Sequence, residues 1–146
     1  MRVLGLDLGQ RRIGLALSDE DGSFAFPKGA LERKNERADL AALAAFVAEN
    51  SVSRIVIGLP VHMDGRKGPE AETATRFAAR LRKALELEVD LLDERWSSKE
   101  AERMLRTTAS RKERRKRGNV DAVAAALILD TYLAQRRGAA ARSDET

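Results

Sequence analysis

The chain has 146 residues, of which 43% are hydrophobic, so it is long enough to form one domain around a buried core. Its 27 Lys and Arg residues against 23 Asp and Glu give a formal net charge of +4. It contains no cysteine and one histidine, which excludes disulfides, zinc–thiolate sites, iron–sulfur clusters and a multi-histidine metal site within one chain. Catalysis, if present, must therefore use carboxylates, basic side chains or hydroxyl groups.

The beginning of the chain lacks the features of a membrane or export segment. No apolar run approaches the roughly 18 residues of a membrane-spanning helix. Asp7 interrupts the first apolar stretch, where a signal peptide would be continuously apolar. We therefore expect a cytoplasmic protein that does not associate with a membrane.

The first third of the chain is typical of a β-meander. Two short apolar runs, at residues 3–8 and 13–17, are separated by a turn that begins at Gly9. A third and weaker strand is predicted over residues 24–31. Because Pro27 cannot donate a hydrogen bond to a neighbouring strand, this third strand is expected at an edge of the sheet.

Helical and strand patterns alternate in the rest of the chain. Together with the meander they predict a mixed sheet with helices on both faces. We expect one domain over residues 1–138, followed by a disordered tail over 139–146. The predicted elements are a helix over 36–49, a strand over 54–60, a helix from Pro69, a strand over 88–93, a helix opened by the capping box of Ser97 and Glu100, and a final helix over 120–137, capped by Asn119 and ended by Gly138.

Acidic residues fall where ligands bind in open α/β sheets. Asp7 lies near the end of the first strand, Asp93 and Glu94 end the last strand, and Asp121 opens the final helix. Alanines after Asp121 would let that helix lie close to the sheet. Carboxylates that converge repel one another unless a cation lies between them. Oxygen ligands favour Mg²⁺ or Mn²⁺, which can activate water against a phosphodiester.

Each of these acids also has an ordinary structural interpretation. Asp7 could pair with Arg12, and Asp93 or Glu94 could pair with Arg95. Asp121 could simply suit the positive end of a helix. The spacing of the acids alone does not decide between a metal site and these pairs.

A dense basic run over residues 111–117 predicts contact with the phosphates of a nucleic acid. The alternative is a solvated loop or helix end. His62 is interpreted as a solvated loop residue that could instead contact the substrate. Trp96 is interpreted as a core or rim residue that could instead stack on a base. The basic residues expected to contact nucleic acid are Arg11, Arg12, Arg95, Arg111, Lys112, Arg114, Arg115, Lys116 and Arg117.

Four short segments together form a series that is more specific than any one of them. They are DLGQRRIGLA at 7–16, GLP at 58–60 with MDG at 63–65, DERWSS at 93–98, and NVDAVAA at 119–125. In this order they resemble the YqgF/RuvX family, a bacterial branch of the RNase H-like superfamily related to the RuvC Holliday junction resolvases. The resemblance extends from residue 1 to about residue 137.

This resemblance implies an α/β structure of the RNase H-like fold. Its five-stranded mixed sheet would have the order 3-2-1-4-5, with strand 2 antiparallel to the others, and would be flanked by helices. It also implies that Asp7, Glu94 and Asp121 are the catalytic, metal-binding acids of a nuclease that uses Mg²⁺ or Mn²⁺.

The expected activity is processing of the 5′ end of precursor 16S rRNA. One alternative is a Holliday junction resolvase that cuts branched DNA as a homodimer; a monomer would argue against it. Another is a nucleic-acid-binding protein without catalysis. An actin-like kinase shares the Asp-x-Gly opening, but it needs two such domains, and 146 residues supply one.

One departure from the usual RNase H arrangement concerns the second acid. That acid normally ends strand 4, but here strand 4 ends in Gly58-Leu59-Pro60. The acid must come from strand 5, about 10 Å to the side of strand 1. Because a Glu side chain reaches further than an Asp side chain, we expect Glu94 rather than Asp93 to complete the site.

Overall fold

Eight elements are seen in the computed structural model of the chain, which describes residues 1–59, 68–93 and 117–144. The side chains of 117–119 and 139–144 are left out of the description. The strands are β1 (Val3–Leu8), β2 (Arg12–Ser18), β3 (Ala25–Glu32), β4 (Arg54–Leu59) and β5 (Glu88–Asp93); the helices are α1 (Glu36–Glu49), α2 (Pro69–Leu85) and α3 (Arg117–Asp144).

The five strands form one mixed sheet in the order β3-β2-β1-β4-β5. β2 runs antiparallel to β1 and to β3, whereas β1, β4 and β5 are mutually parallel. The predicted order and the antiparallel second strand are therefore confirmed. β3 is an edge strand, as the proline within it requires.

Alternating side chains divide the sheet between two layers of helices. On one face, Leu4 and Leu6 of β1 belong to a core that also contains Leu43 of α1 and Phe77 of α2. On the other face, Val3 belongs to a core with residues of α3. Because β1 is central, it is buried on both faces, and any polar residue within it must serve a purpose other than packing.

Sequence patterns locate most element boundaries correctly. α1 spans Glu36–Glu49, as predicted, and Asn35 caps it by accepting a hydrogen bond from the Ala38 backbone N–H at 2.9 Å. The helix predicted to open at Ser97 lies outside the described residues. In the described part of the chain, every helix is too short or too polar to cross a bilayer.

The final helix is longer than predicted at both ends. It begins at Arg117, so Asn119 lies inside the helix and is not its cap, and it continues through Gly138 to Asp144. A glycine inside a helix costs only about 1 kcal/mol, and the three alanines after Gly138 are the strongest helix formers. The division of the chain into a domain over 1–138 and a tail stays a prediction.

A polar network attaches the middle of α3 to β4 and β5. Arg54 donates to Asp90 at 2.9 Å and pairs with Glu88 at 2.6 Å, while the Tyr132 hydroxyl donates to the Asp90 carboxylate. Burial alone would raise the pKa of Asp90, but the hydrogen bonds from Tyr132 and Arg54 outweigh it and lower that pKa. The charged carboxylate therefore stabilises the packing of α3 against the sheet.

Replacing Tyr132 with Phe is expected to lower the free energy of unfolding by about 1 kcal/mol at pH 7, because the variant loses a donor to a charged acceptor. The Asp90 pKa is lower in the folded chain, so this contribution is present above its unfolded pKa of about 3.9 and is lost as the pH falls through the folded value. Urea denaturation from pH 7 to pH 2 measures it. An undiminished difference at pH 2 would contradict this interpretation.

Candidate active site

Asp7 lies near the end of β1, on the face of the sheet that α3 covers. Leu4 and Leu6 point to the α1 and α2 side, whereas Val3 packs with residues of α3. Gly5 also faces α3, since a Cβ built there would lie 2.8 Å from the Cβ of Leu129. Asp7 shares the alternation of Val3 and Gly5 and is half-buried, so its carboxylate belongs to the α3 side.

Gly14 brings the beginning of α3 against the sheet. A Cβ built on Gly14 would lie 2.1 Å from the carbonyl oxygen of Asp121 and 2.5 Å from its carbonyl carbon, closer than real atoms approach. Gly14 is also the β2 residue that pairs with Asp7. Directly paired residues have Cα atoms about 4.5–5.5 Å apart. Asp7 and Asp121 are therefore both neighbours of Gly14, Asp7 through strand pairing and Asp121 through the close approach of its backbone.

Small residues on both sides form this contact between α3 and the sheet. Ala122 is 2% exposed and Ala125 is fully buried, which confirms that the alanines of α3 permit close approach. Gly5 and Gly14 supply the sheet side of the same contact. The two glycines were not predicted to make this contact, although glycine inside a strand is a known signal of close backbone approach.

Arg12 pairs with Asp121 and not with Asp7. Its Nε donates to Asp121 Oδ2 at 3.2 Å, and the two side chains are 24% and 28% exposed. One structural interpretation of the sequence paired Arg12 with Asp7. The ion pair that the structure describes for Arg12 is with Asp121. Arg11 lies beside it in the β1–β2 turn and is exposed.

The alternation in β5 separates Asp93 from the other two acids. Leu92 packs in the core beneath α3, and Asp90 binds Tyr132 of α3. Val89 and Leu91 pack on the opposite face, and Asp93 follows their alternation. Asp93 therefore lies on the α1 and α2 side of the sheet, away from the α3 side to which Asp7 belongs.

β4, which lies between β1 and β5, has a glycine near its end on the side of the sheet that α3 covers. Arg54 and Val56 face α3, and Gly58 continues the same alternation. Gly58 pairs with Leu92 of β5. β4 therefore contributes no side chain between the ends of β1 and β5 on the α3 side, since glycine carries none.

Several predicted site residues cannot be placed in this arrangement. Arg117 begins α3, but its side chain is not described. Within the described ranges, no group of three or more acidic or histidine side chains could hold a metal ion, so Asp7 and Asp121 could supply only part of a coordination shell. The predicted residues that lie outside the described residues are Glu94, Arg95, Arg111, Lys112, Arg114, Arg115 and Lys116, together with His62 and Trp96.

Solved structures define the class of fold. The chain is similar to Thermus thermophilus RuvC in complex with Holliday junction substrate, with a TM-score of 0.61 and 13% identity over 94% of this chain and 96% of that chain. It is also similar to fowlpox virus resolvase in complex with Holliday junction DNA, with a TM-score of 0.55 and 11% identity over 92% and 98% of the two chains. The fold is the RNase H-like fold of these resolvases.

The chain belongs to the RuvX family, whose model, described as Holliday junction resolvase, matches residues 1–135. A relative from Anaeromyxobacter dehalogenans is 48% identical over 136 residues, covering 93% of this chain and 98% of the relative. One from Chloroflexus aurantiacus is 42% identical over 143 residues, covering 98% and 93%. Both carry the name "Putative pre-16S rRNA nuclease". These comparisons support a nuclease, that is, a nucleic-acid hydrolase.

Proposed function

We propose that this chain is a divalent-metal-dependent nuclease that processes the 5′ end of precursor 16S rRNA. The observation that carries the proposal is that Asp7 and Asp121 are both neighbours of Gly14, near the end of the central strand. The names of relatives at 42–48% identity support the choice of substrate. We place the protein in the cytoplasm, as a monomer or a homodimer.

Asp7, Glu94 and Asp121 would hold the metal. Their donor atoms are all carboxylate oxygens, which suit Mg²⁺ or Mn²⁺. The Asp121 carboxylate contacts one cationic group, the Arg12 guanidinium, which a metal ion would displace or share the carboxylate with. The alternation of β5 supports Glu94 over Asp93 as the third acid. When bound, the ion would supply an activated water and stabilise the leaving oxygen of the phosphodiester.

Basic side chains would position the nucleic acid beside these acids. Arg11 is exposed in the turn that follows β1, next to the proposed site. We assign phosphate contacts to Arg11, Arg12 and Arg95 and to the basic segment 111–117. Contacts of this kind fix the register of the substrate without reading its sequence.

Junction resolution is the second candidate function. The family model is described as a Holliday junction resolvase, and two resolvases share the fold. Symmetrical cutting of a four-way junction needs two sites related by a two-fold axis, so this function requires a homodimer.

A cleavage panel separates the candidates. Precursor 16S rRNA, a four-way DNA junction and unstructured single strands would each be offered with and without Mn²⁺. Our proposal expects cleavage near the 5′ end of the 16S sequence, only with the metal. Paired cuts in the junction by a dimer would favour resolution. Binding of either substrate without any cleavage would favour the non-catalytic alternative.

The assignment of Glu94 over Asp93 gives a matched pair of variants. Glu94→Gln is expected to reduce the cleavage rate by about 100-fold or more, because an anionic ligand is lost at the reacting phosphate. Asp93→Asn removes one negative charge from the adjacent residue and is expected to change the rate less than about twofold. Single-turnover cleavage of precursor RNA measures both. A larger loss in Asp93→Asn would reverse the assignment.

A further inference from the structure

We propose that Arg12 is an exchangeable counterion, which holds Asp121 in the metal-free protein and moves to a substrate phosphate when a divalent cation binds. This inference rests on the proposed function and concerns the regulation of that same site. Arg12, at the beginning of β2, donates to one oxygen of Asp121.

The geometry of the pair is that of a contact that can be exchanged. It is a single hydrogen bond from Nε at 3.2 Å, not the parallel two-bond arrangement that makes arginine–carboxylate pairs strong. Both side chains are about one-quarter exposed, at 24% and 28%. Pairs of this kind contribute only about 0–1 kcal/mol, so a divalent cation can replace the guanidinium.

Within residues 1–59, 68–93 and 117–144, the pair leaves binding capacity on both partners. Among the described residues, Asp121 Oδ1 accepts no hydrogen bond, and the terminal nitrogens of Arg12 donate none. The guanidinium therefore retains the planar edge that binds phosphate oxygens in pairs. A cation at Asp121 would release the Nε group as well, and the whole guanidinium would become available to the substrate.

Exchange predicts that the metal and the nucleic acid promote each other's binding. Without metal, the Asp121 carboxylate holds Nε of Arg12 and offsets its charge, so this side chain binds a phosphate less strongly than it would once released. With metal bound at Asp121, the released Arg12 side chain can contact a phosphate oxygen of the substrate that the metal does not contact. By linkage, the nucleic acid must strengthen metal binding by the same factor.

The neighbouring arginine offers a matched control. Arg11→Gln and Arg12→Gln each remove one positive charge from the same turn, but only Arg12 contacts Asp121. Arg12→Lys keeps the charge at the contact. Thermal unfolding of each variant without metal checks that the fold is retained.

The experiment measures the Mn²⁺ dissociation constant by isothermal titration calorimetry, for the protein alone and with a single-stranded oligonucleotide that wild type does not cleave. We expect Arg12→Gln to bind Mn²⁺ about two- to fivefold more tightly than Arg11→Gln does, because Arg12→Gln lacks the guanidinium that competes with the ion for Asp121. Arg12→Lys should return to near the wild-type value. The oligonucleotide should tighten Mn²⁺ binding in wild type and in Arg11→Gln, and by a clearly smaller factor in Arg12→Gln, where only the direct contact of the metal with the phosphodiester remains.

The outcomes distinguish this inference from the proposed function. If wild type binds Mn²⁺, and Asp7→Asn and Asp121→Asn do not, the metal site stands. Equal Mn²⁺ affinities of Arg12→Gln and Arg11→Gln would then overturn the exchange alone. An oligonucleotide effect as large in Arg12→Gln as in wild type would also overturn it. A wild-type protein that binds no Mn²⁺ at millimolar concentration overturns both.

Discussion

Asp7→Asn is expected to reduce the cleavage of precursor 16S rRNA by about 1,000-fold, with the fold retained. The two side chains have nearly the same shape, so the packing at the end of β1 is preserved. The variant loses one of the three negative charges that we assign to the metal, and removal of one electrostatic stabiliser of a transition state costs about 100- to 1,000-fold. Asp7 lies on the central strand of the site, which is why we expect the upper end of that range.

Single-turnover kinetics with Mn²⁺ measure this effect, and thermal unfolding confirms that the variant is folded. Asp130→Asn is a suitable control, since Asp130 is an exposed acid on the same helix as Asp121. The two positions are nine residues apart, which places them about 13 Å apart along the helix. Asp130→Asn should cleave at the wild-type rate. Full cleavage by Asp7→Asn would rule out the proposed mechanism.

Gly14→Ala is expected to lower the free energy of unfolding by about 1–3 kcal/mol and to reduce cleavage by about 100-fold. The added methyl group would meet the carbonyl oxygen of Asp121 at 2.1 Å, so the beginning of α3 must move away from the sheet. Overpacking of this kind costs about 1–3 kcal/mol. A displacement of about 1 Å at a catalytic group is enough to lose about two orders of magnitude in rate.

Gly29→Ala separates this effect from the general cost of replacing glycine. Gly29 has a φ of +84°, which disfavours alanine, but no atom lies within 4 Å of the built Cβ. We expect that variant to be less stable by about 1–2 kcal/mol and fully active. Urea denaturation and cleavage rates compare the two. Wild-type cleavage by a folded Gly14→Ala variant would show that the contact does not position Asp121.

Local sequence patterns were sufficient to predict the layers of this fold. The change from strand periodicity to helical periodicity at Glu36, the edge position of the strand with Pro27, and the start of α2 at Pro69 are all found in the structure. Each depends on residues close together in the chain. The order of the strands could not be predicted from local patterns, because the pairing between β1 and β4 joins residues that are far apart in sequence. That order was expected only from the family resemblance.

The contacts that build the candidate site depend on long-range approach and were predicted only in part. The alanines after Asp121 indicated a close helix, and this expectation is confirmed. The partner of that helix, Gly14, could have been recognised from its place inside a strand. The pairing of Arg12 with Asp121 could not, because nothing local distinguishes Asp7 from Asp121 as its acceptor. The extension of α3 past Gly138 shows that a single glycine is a weak stop signal when alanines follow it.

The absence of an acid at the end of strand 4, where the usual RNase H arrangement has one, has a structural interpretation. β4 presents Gly58, with no side chain, on the α3 side between β1 and β5. An acid extending from the end of β5 could therefore reach towards β1 without meeting a side chain of β4. This arrangement explains how a strand-5 acid could serve a site whose first acid lies on β1.

The central claim is that Asp7, Glu94 and Asp121 share one divalent ion. Anomalous diffraction from crystals soaked in Mn²⁺ tests it most directly, because the signal locates the ion independently of any activity. Our account predicts a peak about 2 Å from carboxylate oxygens of all three residues, with Arg12 turned away from Asp121. A peak elsewhere, or three carboxylates that remain too far apart to contact one ion, would contradict it.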